Sequence, residues 1–287
     1  MESLASETQE IRKTSSMAIG TIAAIEVPKS KWNILEIITN SAMNPNKNYR
    51  ITSLITIQNI LDFLEWKKIS TNNKKNILLA ITSNMDSTLY AEVINEAIKG
   101  FYKIITYLYE FIENGKQRQF IISLINKLLT PEYVSQSKMP FDLQKNIWIC
   151  LIEFARLYGE KLENELNSIA NITFSYFNCN IEQLSIFAIE FWSSICDREK
   201  LVYNKNILKS KYQDSLGDSI IRVFESRKNY DDIDEWTSYK AVSFLIGQLV
   251  SLGNNTNNTV YNRMLNYISQ CFNSNKAKKL SNINNLS

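Results

Sequence analysis

The chain has 287 residues, 45% hydrophobic and 21% charged, with 7 Gly, 4 Pro, no His and a formal net charge of +3. Average usage would give about 20 Gly and about 14 Pro, so the turns that sandwiches, barrels and doubly wound α/β folds need every ten residues or so cannot be supplied. The missing His removes Ser-His-Asp and Cys-His nucleophile systems and His-ligated zinc or haem, which leaves an all-α chain, not expected to be an enzyme.

The first residues, MESLASETQEIRKTSS, are polar and lack the apolar stretch of a secretory signal. From there the apolar spacing is helical. Breaks at Pro28, Pro45, Asn114-Gly115, Pro131, Pro140 and Leu252-Gly253 divide the pattern. Helices are predicted over roughly 13–27, 30–42, 47–65, 73–84, 89–111, 117–129, 141–158, 161–177, 181–196, 211–226, 236–252 and 257–272. In the third, Ile51, Leu54, Ile55, Ile57, Ile60, Leu61 and Leu64 follow the i, i+3, i+4 rule of a wide buried stripe. All four prolines fall in breaks. Short helices joined by short turns predict antiparallel hairpins, and residues 273–287 form a polar Asn/Lys-rich tail.

A small or short residue followed by an aliphatic one recurs at Ala18-Ile19, Thr56-Ile57, Ala97-Ile98, Cys150-Leu151, Ala188-Ile189 and Ala241-Val242, with successive steps of 38, 41, 53, 38 and 53 residues. Three steps match the roughly 40-residue period of paired-helix HEAT or armadillo repeats; the two long ones imply insertions. Gly20, Gly100 and Gly247 lie in these helices despite the low helix propensity of glycine, which predicts close packing at all three. The pattern points to an α-solenoid of HEAT hairpins over 1–272, a class that binds proteins along extended surfaces. A single helical bundle is the alternative.

Lys276, Lys278 and Lys279 lie in a tail without acids, so the whole charge excess sits there and the remainder is formally neutral. A neutral body lacks the basic face that nucleic-acid binding requires. Cys150, Cys179, Cys196 and Cys271 show no CxxC spacing, so buried reduced thiols are expected and no metal or cofactor is implied. No run of 18 apolar residues marks a membrane span. Trp32, Trp66, Trp148 and Trp192 read as packing residues, and no GxGxxG or P-loop pattern occurs.

Three stretches carry a more specific signal. Residues 188–199, AIEFWSSICDRE, closely resemble a segment of the importin-β (karyopherin-β) nuclear import receptors; residues 231–241, DDIDEWTSYKA, resemble that family's acidic loop; residues 12–32, RKTSSMAIGTIAAIEVPKSKW, resemble its Ser-Ser…Ile-Ala…Glu-Ile-Pro…Trp segment. They occur in the family's order and at about its spacing. The resemblance places the chain at about repeats 3 to 8 of a longer solenoid. It implies protein import into the nucleus through FG-repeat nucleoporins, the GTP form of the Ran GTPase, and importin-α or basic cargo, in a protein shuttling between cytoplasm and nucleus.

Carried over by position, the resemblance puts FG-nucleoporin contacts on Leu78, Leu79 and Thr82 of one outer helix and on Phe120, Ile121 and Leu124 of the next. Where it leads one to expect Tyr on the following outer helix, Glu165 stands. It puts a Ran/adaptor contact on Asp231, Asp232, Asp234, Glu235 and Trp236, a loop shortened here and interrupted by Ile233. Four carboxylates within five residues suit a basic partner, and the Trp face adds cation–π attraction. The residues alone leave open that the first set is solenoid core and the second a solvated loop capping a helix. A coat-adaptor or phosphatase-regulatory HEAT scaffold and a helical enzyme with a carboxylate site remain as alternatives.

Overall fold

A computed structural model describes residues 2–29, 33–86, 88–129, 139–202, 211–226, 235–252, 262–271 and 273. Among them there is no strand. The chain divides into two compact units, Met1–Phe154 and Ala155–Ser287.

The first unit opens with α1 (Gln9–Glu26), α2 (Ile34–Ser41), α3 (Lys47–Phe63), α4 (Thr71–Thr82) and α5 (Ala91–Ile104). Local chemistry sets the starts. The Asn46 side chain accepts from the Tyr49 N–H at α3, and Ser70 accepts from the Asn73 N–H at α4, each satisfying a donor that the helix leaves open. The predicted helix 89–111 is broken: after Ile104 a 3-10 turn, Ile105–Tyr107, leads into the short α6 (Tyr109–Glu113). The break keeps Ile105, Leu108 and Ile112 wholly buried while the chain turns into α7 (Gly115–Leu129). Helix α8 (Phe141–Tyr158) starts directly after Pro140.

Packing runs in two layers. Helices α1, α3 and α5 stack side by side, α2 packs on α4, and the hairpins α2–α3 and α4–α5 join the layers. Asn84, wholly buried, donates to Ala42 O at 3.0 Å and Ala80 O at 2.7 Å, tying the α2 turn to the α4 turn. In α8, Asn146 donates to Asn95 of α5 and the Cys150 Sγ–H to Ile98 O, which extends the first layer from α5 to α8. The short residues of the repeating motif are buried at Thr56, Ala97 and Cys150, and the Thr56 hydroxyl bonds its own helix at Thr52 O. At Ala18 in α1 the expectation fails: that residue is exposed.

The second unit repeats the plan with α9 (Leu166–Tyr176), α10 (Glu182–Leu201), α11 (Gln213–Ser226) and α12 (Ser238–Leu252). Hairpins α9–α10 and α11–α12 stack as α9 on α11 and α10 on α12. Residues 262–271 are helical too. The core of this unit is the Phe191-Trp192 pair of α10. Trp192 stacks on Phe174 with centroids 4.8 Å apart, meets Phe191 edge-on, and donates through Nε1 to Thr173 Oγ1 at 2.9 Å. Trp66, Trp148 and Trp192 are buried as expected; Trp32 lies outside the described residues.

The glycines divide. A Cβ at Gly20 would lie 2.6 Å from Asn59 Cβ of α3, and one at Gly100 would meet Ile81 at 3.4 Å. Gly247 faces open space, with nothing within 4 Å, so the expected close packing does not occur there. Gly20→Ala should therefore destabilise by about 1–3 kcal/mol through overpacking. Gly247→Ala should stabilise by up to about 1 kcal/mol through helix propensity. Urea unfolding of both variants checks this: a Gly20→Ala protein as stable as the parent contradicts the close α1–α3 approach.

Candidate functional site

Two surfaces carry the residues singled out in the sequence. The first lies on the outer helices α4 and α7. The Asp86 carboxyl, just beyond α4, is held below its ordinary value by hydrogen bonds from Thr88, against the opposing effect of burial and with a smaller contribution from the charge of Lys127 in α7. Leu79 lies on α4 and Phe120 on α7. They are 62% and 53% exposed, large apolar side chains facing solvent on successive outer helices. Leu78 is half-buried.

The other three residues of this set sit beneath the surface. Ile121 and Leu124 are buried, as are Ile122, Ile125, Leu128 and Leu129. Thr82 is buried and its hydroxyl donates to Leu78 O at 2.9 Å. Glu165, immediately before α9, is buried and presents no apolar side chain to solvent.

The second surface lies at the start of α12. Asp231, Asp232 and Asp234 fall outside the described residues. Glu235 is exposed, and Trp236 is 50% exposed. Trp236 is fixed from behind: the Thr237 hydroxyl oxygen accepts from the Lys240 N–H, and Glu182 of α10 accepts from the Ser238 N–H. Half-buried Glu190 of α10 faces the indole; burial pushes its carboxyl up, opposed by the hydrogen bond from Trp236. Sequence reasoning missed Glu190, whose only signal is a carboxylate set between the core residues Ile189 and Phe191 of the AIEFWS stretch. An exposed indole, with a carboxylate behind it and another beside it, suits a Lys or Arg side chain.

A groove of about 420 Å³ opens on the layer of α3, α5 and α8, between Gln58, Ile98, Tyr102 and Ile149. Its floor is Cys150, whose thiol burial pushes well above the ordinary range, so it is a packing group, not a nucleophile. Among the described residues no group of three His, Cys, Asp or Glu is placed to hold a metal ion. No described helix is long and apolar enough to cross a membrane.

The two-layer stack of antiparallel hairpins in each unit is the architecture of HEAT and armadillo proteins. No protein-family model matches the chain. Among curated proteins, importin subunit beta-1 of Arabidopsis thaliana is 25% identical over 228 residues, covering 78% of this chain and 25% of that protein. Its counterpart in Schizosaccharomyces pombe is 20% identical over 203 residues, 69% of this chain and 23% of the relative. Among solved structures, yeast importin-β (Kap95p) superposes with a TM-score of 0.76 at 16% identity, over 94% of this chain and 32% of that one. Kap95 in complex with Nup1 gives 0.74 at 18% identity, over 94% and 32%; Kap95p with RanGDP gives 0.69 at 17%, over 86% and 30%. The chain is thus importin-β-like in sequence and in fold, and it spans about a quarter of the length of the curated relatives it matches.

Proposed function

We propose that this chain acts as a segment of an importin-β-like nuclear transport receptor, shuttling between cytoplasm and nucleus. The observation that carries the reading is the exposure of two large apolar side chains, Leu79 on α4 and Phe120 on α7. Such a pair forms an apolar seat for the Phe side chain of an FxFG repeat. Kap95, whose fold this chain shares, is found in complex with Nup1, which supports the assignment. Burying one Phe contributes roughly 1.5–3 kcal/mol, and association entropy offsets most of it. Each contact is therefore weak and short-lived, as repeated binding and release along a pore demands. The test is a titration with an FxFG peptide against one in which Ser replaces each Phe. Saturable binding of the first alone is expected; equal binding of both, or of neither, contradicts the reading.

Asp231, Asp232, Asp234, Glu235 and Trp236 form the second part of the proposal, a contact for RanGTP and for importin-α or basic cargo. Its support is the exposed indole backed by Glu190 and the finding of Kap95p with RanGDP. A Lys/Arg-rich peptide should bind the chain about fivefold more weakly after Trp236→Ala, the loss of about 1 kcal/mol of cation–π attraction. Binding unchanged by that substitution counts against this surface.

A further inference from the structure

The groove on α3, α5 and α8 lies within the stack: α3 is flanked by α1 and α5, and α5 by α3 and α8. Its apolar walls are Ile98, Tyr102 and Ile149 over the Cys150 floor, and its volume is about 420 Å³, within the roughly 300–1,000 Å³ of small-ligand sites. Lys99 and Lys103 also line it, and among the described residues no carboxylate does. The two amides in its walls are already engaged. Gln58 donates to the Glu96 carbonyl and carboxylate, each at 3.0 Å, and Asn146 donates to Asn95 at 2.8 Å. Besides the Tyr102 hydroxyl, the polar recognition left to the groove is cationic.

Lys99 is paired with Glu96 and Lys103 with Asp62. Both pairs are partly exposed and hold their lysines loosely; each uses one of the three N–H donors of an ammonium, and the rest remain for a second carboxylate. Four-residue steps lead on from Lys99 and Lys103 to Tyr107, which is half exposed and stacks on Trp66 with centroids 5.5 Å apart. The Lys74 ammonium stands 5.7 Å from the Trp66 ring centre. From Lys99 to Tyr107 is about 12 Å at the helical rise, the reach of about four extended residues. Residues 65–75 hold four lysines and one acid. That acid, Glu65, is taken by Lys68, and Lys67, Lys74 and Lys75 make no ion pair among the described residues. This end of the line is therefore net positive.

We infer that the groove and the line beyond it bind a short acidic segment of another protein. A large apolar side chain of that segment sits between Ile98, Tyr102 and Ile149, and its Asp and Glu side chains follow Lys99 and Lys103 toward Lys74. Charge complementarity selects this occupant. A basic peptide would bring its cations against two ammonium groups with no carboxylate in the lining to receive them. A long nucleic acid needs an extended basic tract, and outside residues 273–287 the chain is formally neutral; a short acidic peptide meets the lysines only locally. One anchoring side chain and a few exposed charges give weak, salt-sensitive binding. The surface is separate from both sets of residues in the proposed function, and the inference does not depend on the transport reading.

Fluorescence anisotropy tests it, with the 287-residue chain titrated against a labelled nonapeptide that carries one Phe among four Asp and Glu residues. Saturable binding below about 1 mM at low salt is expected, weakening as salt rises. Peptides with Ser for the Phe, or Lys for each acid, should bind about tenfold more weakly or not at all. The double variant Lys99→Gln, Lys103→Gln should keep the melting temperature of the parent and lose about fivefold in affinity. A benzoylphenylalanine in place of the peptide Phe should photo-cross-link the unaltered chain on α5 or α8, which locates the peptide whether or not the variant folds. Single-stranded oligothymidylate should not displace the peptide. No saturation by 1 mM, equal binding of the Lys peptide, displacement by the oligonucleotide, cross-links confined to other helices, or full affinity in a folded double variant would each overturn the inference.

Discussion

Replacing Trp192 by alanine is expected to lower the unfolding free energy by about 3–5 kcal/mol, the range for deleting a large buried aromatic. The reason is the number of groups that meet at this one side chain. It is wholly buried, stacks on Phe174, meets Phe191 edge-on and approaches Tyr212 at 5.3 Å between centroids. Its N–H also satisfies Thr173, which spares the buried indole a desolvation cost. Trp192→Phe should recover most of the packing and forfeit the hydrogen bond, leaving a loss of about 1–2 kcal/mol. Urea unfolding followed by circular dichroism measures both. A Trp192→Ala protein within 1 kcal/mol of the parent would remove Trp192 from the centre of the second unit.

The second large effect is expected at Arg198. Its guanidinium makes two hydrogen bonds to Glu160, at 2.5 and 3.0 Å, and so fixes the end of α10 to the turn before α9. Glu160 is buried. Burial alone would push its carboxyl up, yet the hydrogen bonds and charge of Arg198 prevail and hold it below its ordinary value of 4.5. Arg198→Ala removes both hydrogen bonds, leaving the carboxylate with its backbone hydrogen bond and the charge of Lys161, and should cost about 2 kcal/mol at neutral pH. The pH dependence follows from the sign of the shift. A depressed carboxyl stabilises the fold above the unfolded value, about 4.5, and the contribution fades as pH falls through the folded value. The difference between parent and Arg198→Ala should therefore shrink below about pH 4. A difference independent of pH between 7 and 3 would show that the ion pair is not its source.

Helical period and turn chemistry were readable without coordinates. The hairpins, the burial of the motif pairs from Thr56 to Ala241 and the packing role of Trp66, Trp148 and Trp192 follow from spacing alone, because a 3.6-residue period reports which residues share a stripe. It does not report how wide the buried part of the stripe is. Nor does position in a resembling family: of the six residues the resemblance assigns to the outer face, only Leu79 and Phe120 stand well out from the surface, while Thr82, Ile121 and Leu124 are buried. Ala18 and Gly247 depart in a related way: both match interior positions of the repeat, but Ala18 is exposed and, among the described residues, nothing lies within 4 Å of a Cβ at Gly247. Contacts such as Glu160 with Arg198, or Asn84 with Ala42 O, join residues 38 and 42 apart. Nothing local announces them.

The outer face carries the central claim, and the most direct measurement is the FxFG titration repeated on the double variant Leu79→Ser, Phe120→Ser. Both side chains are exposed, so the variant should keep the melting temperature of the parent while its affinity for the peptide falls at least tenfold. Unchanged affinity in a folded double variant would contradict the account, since the peptide would then be held elsewhere on the solenoid.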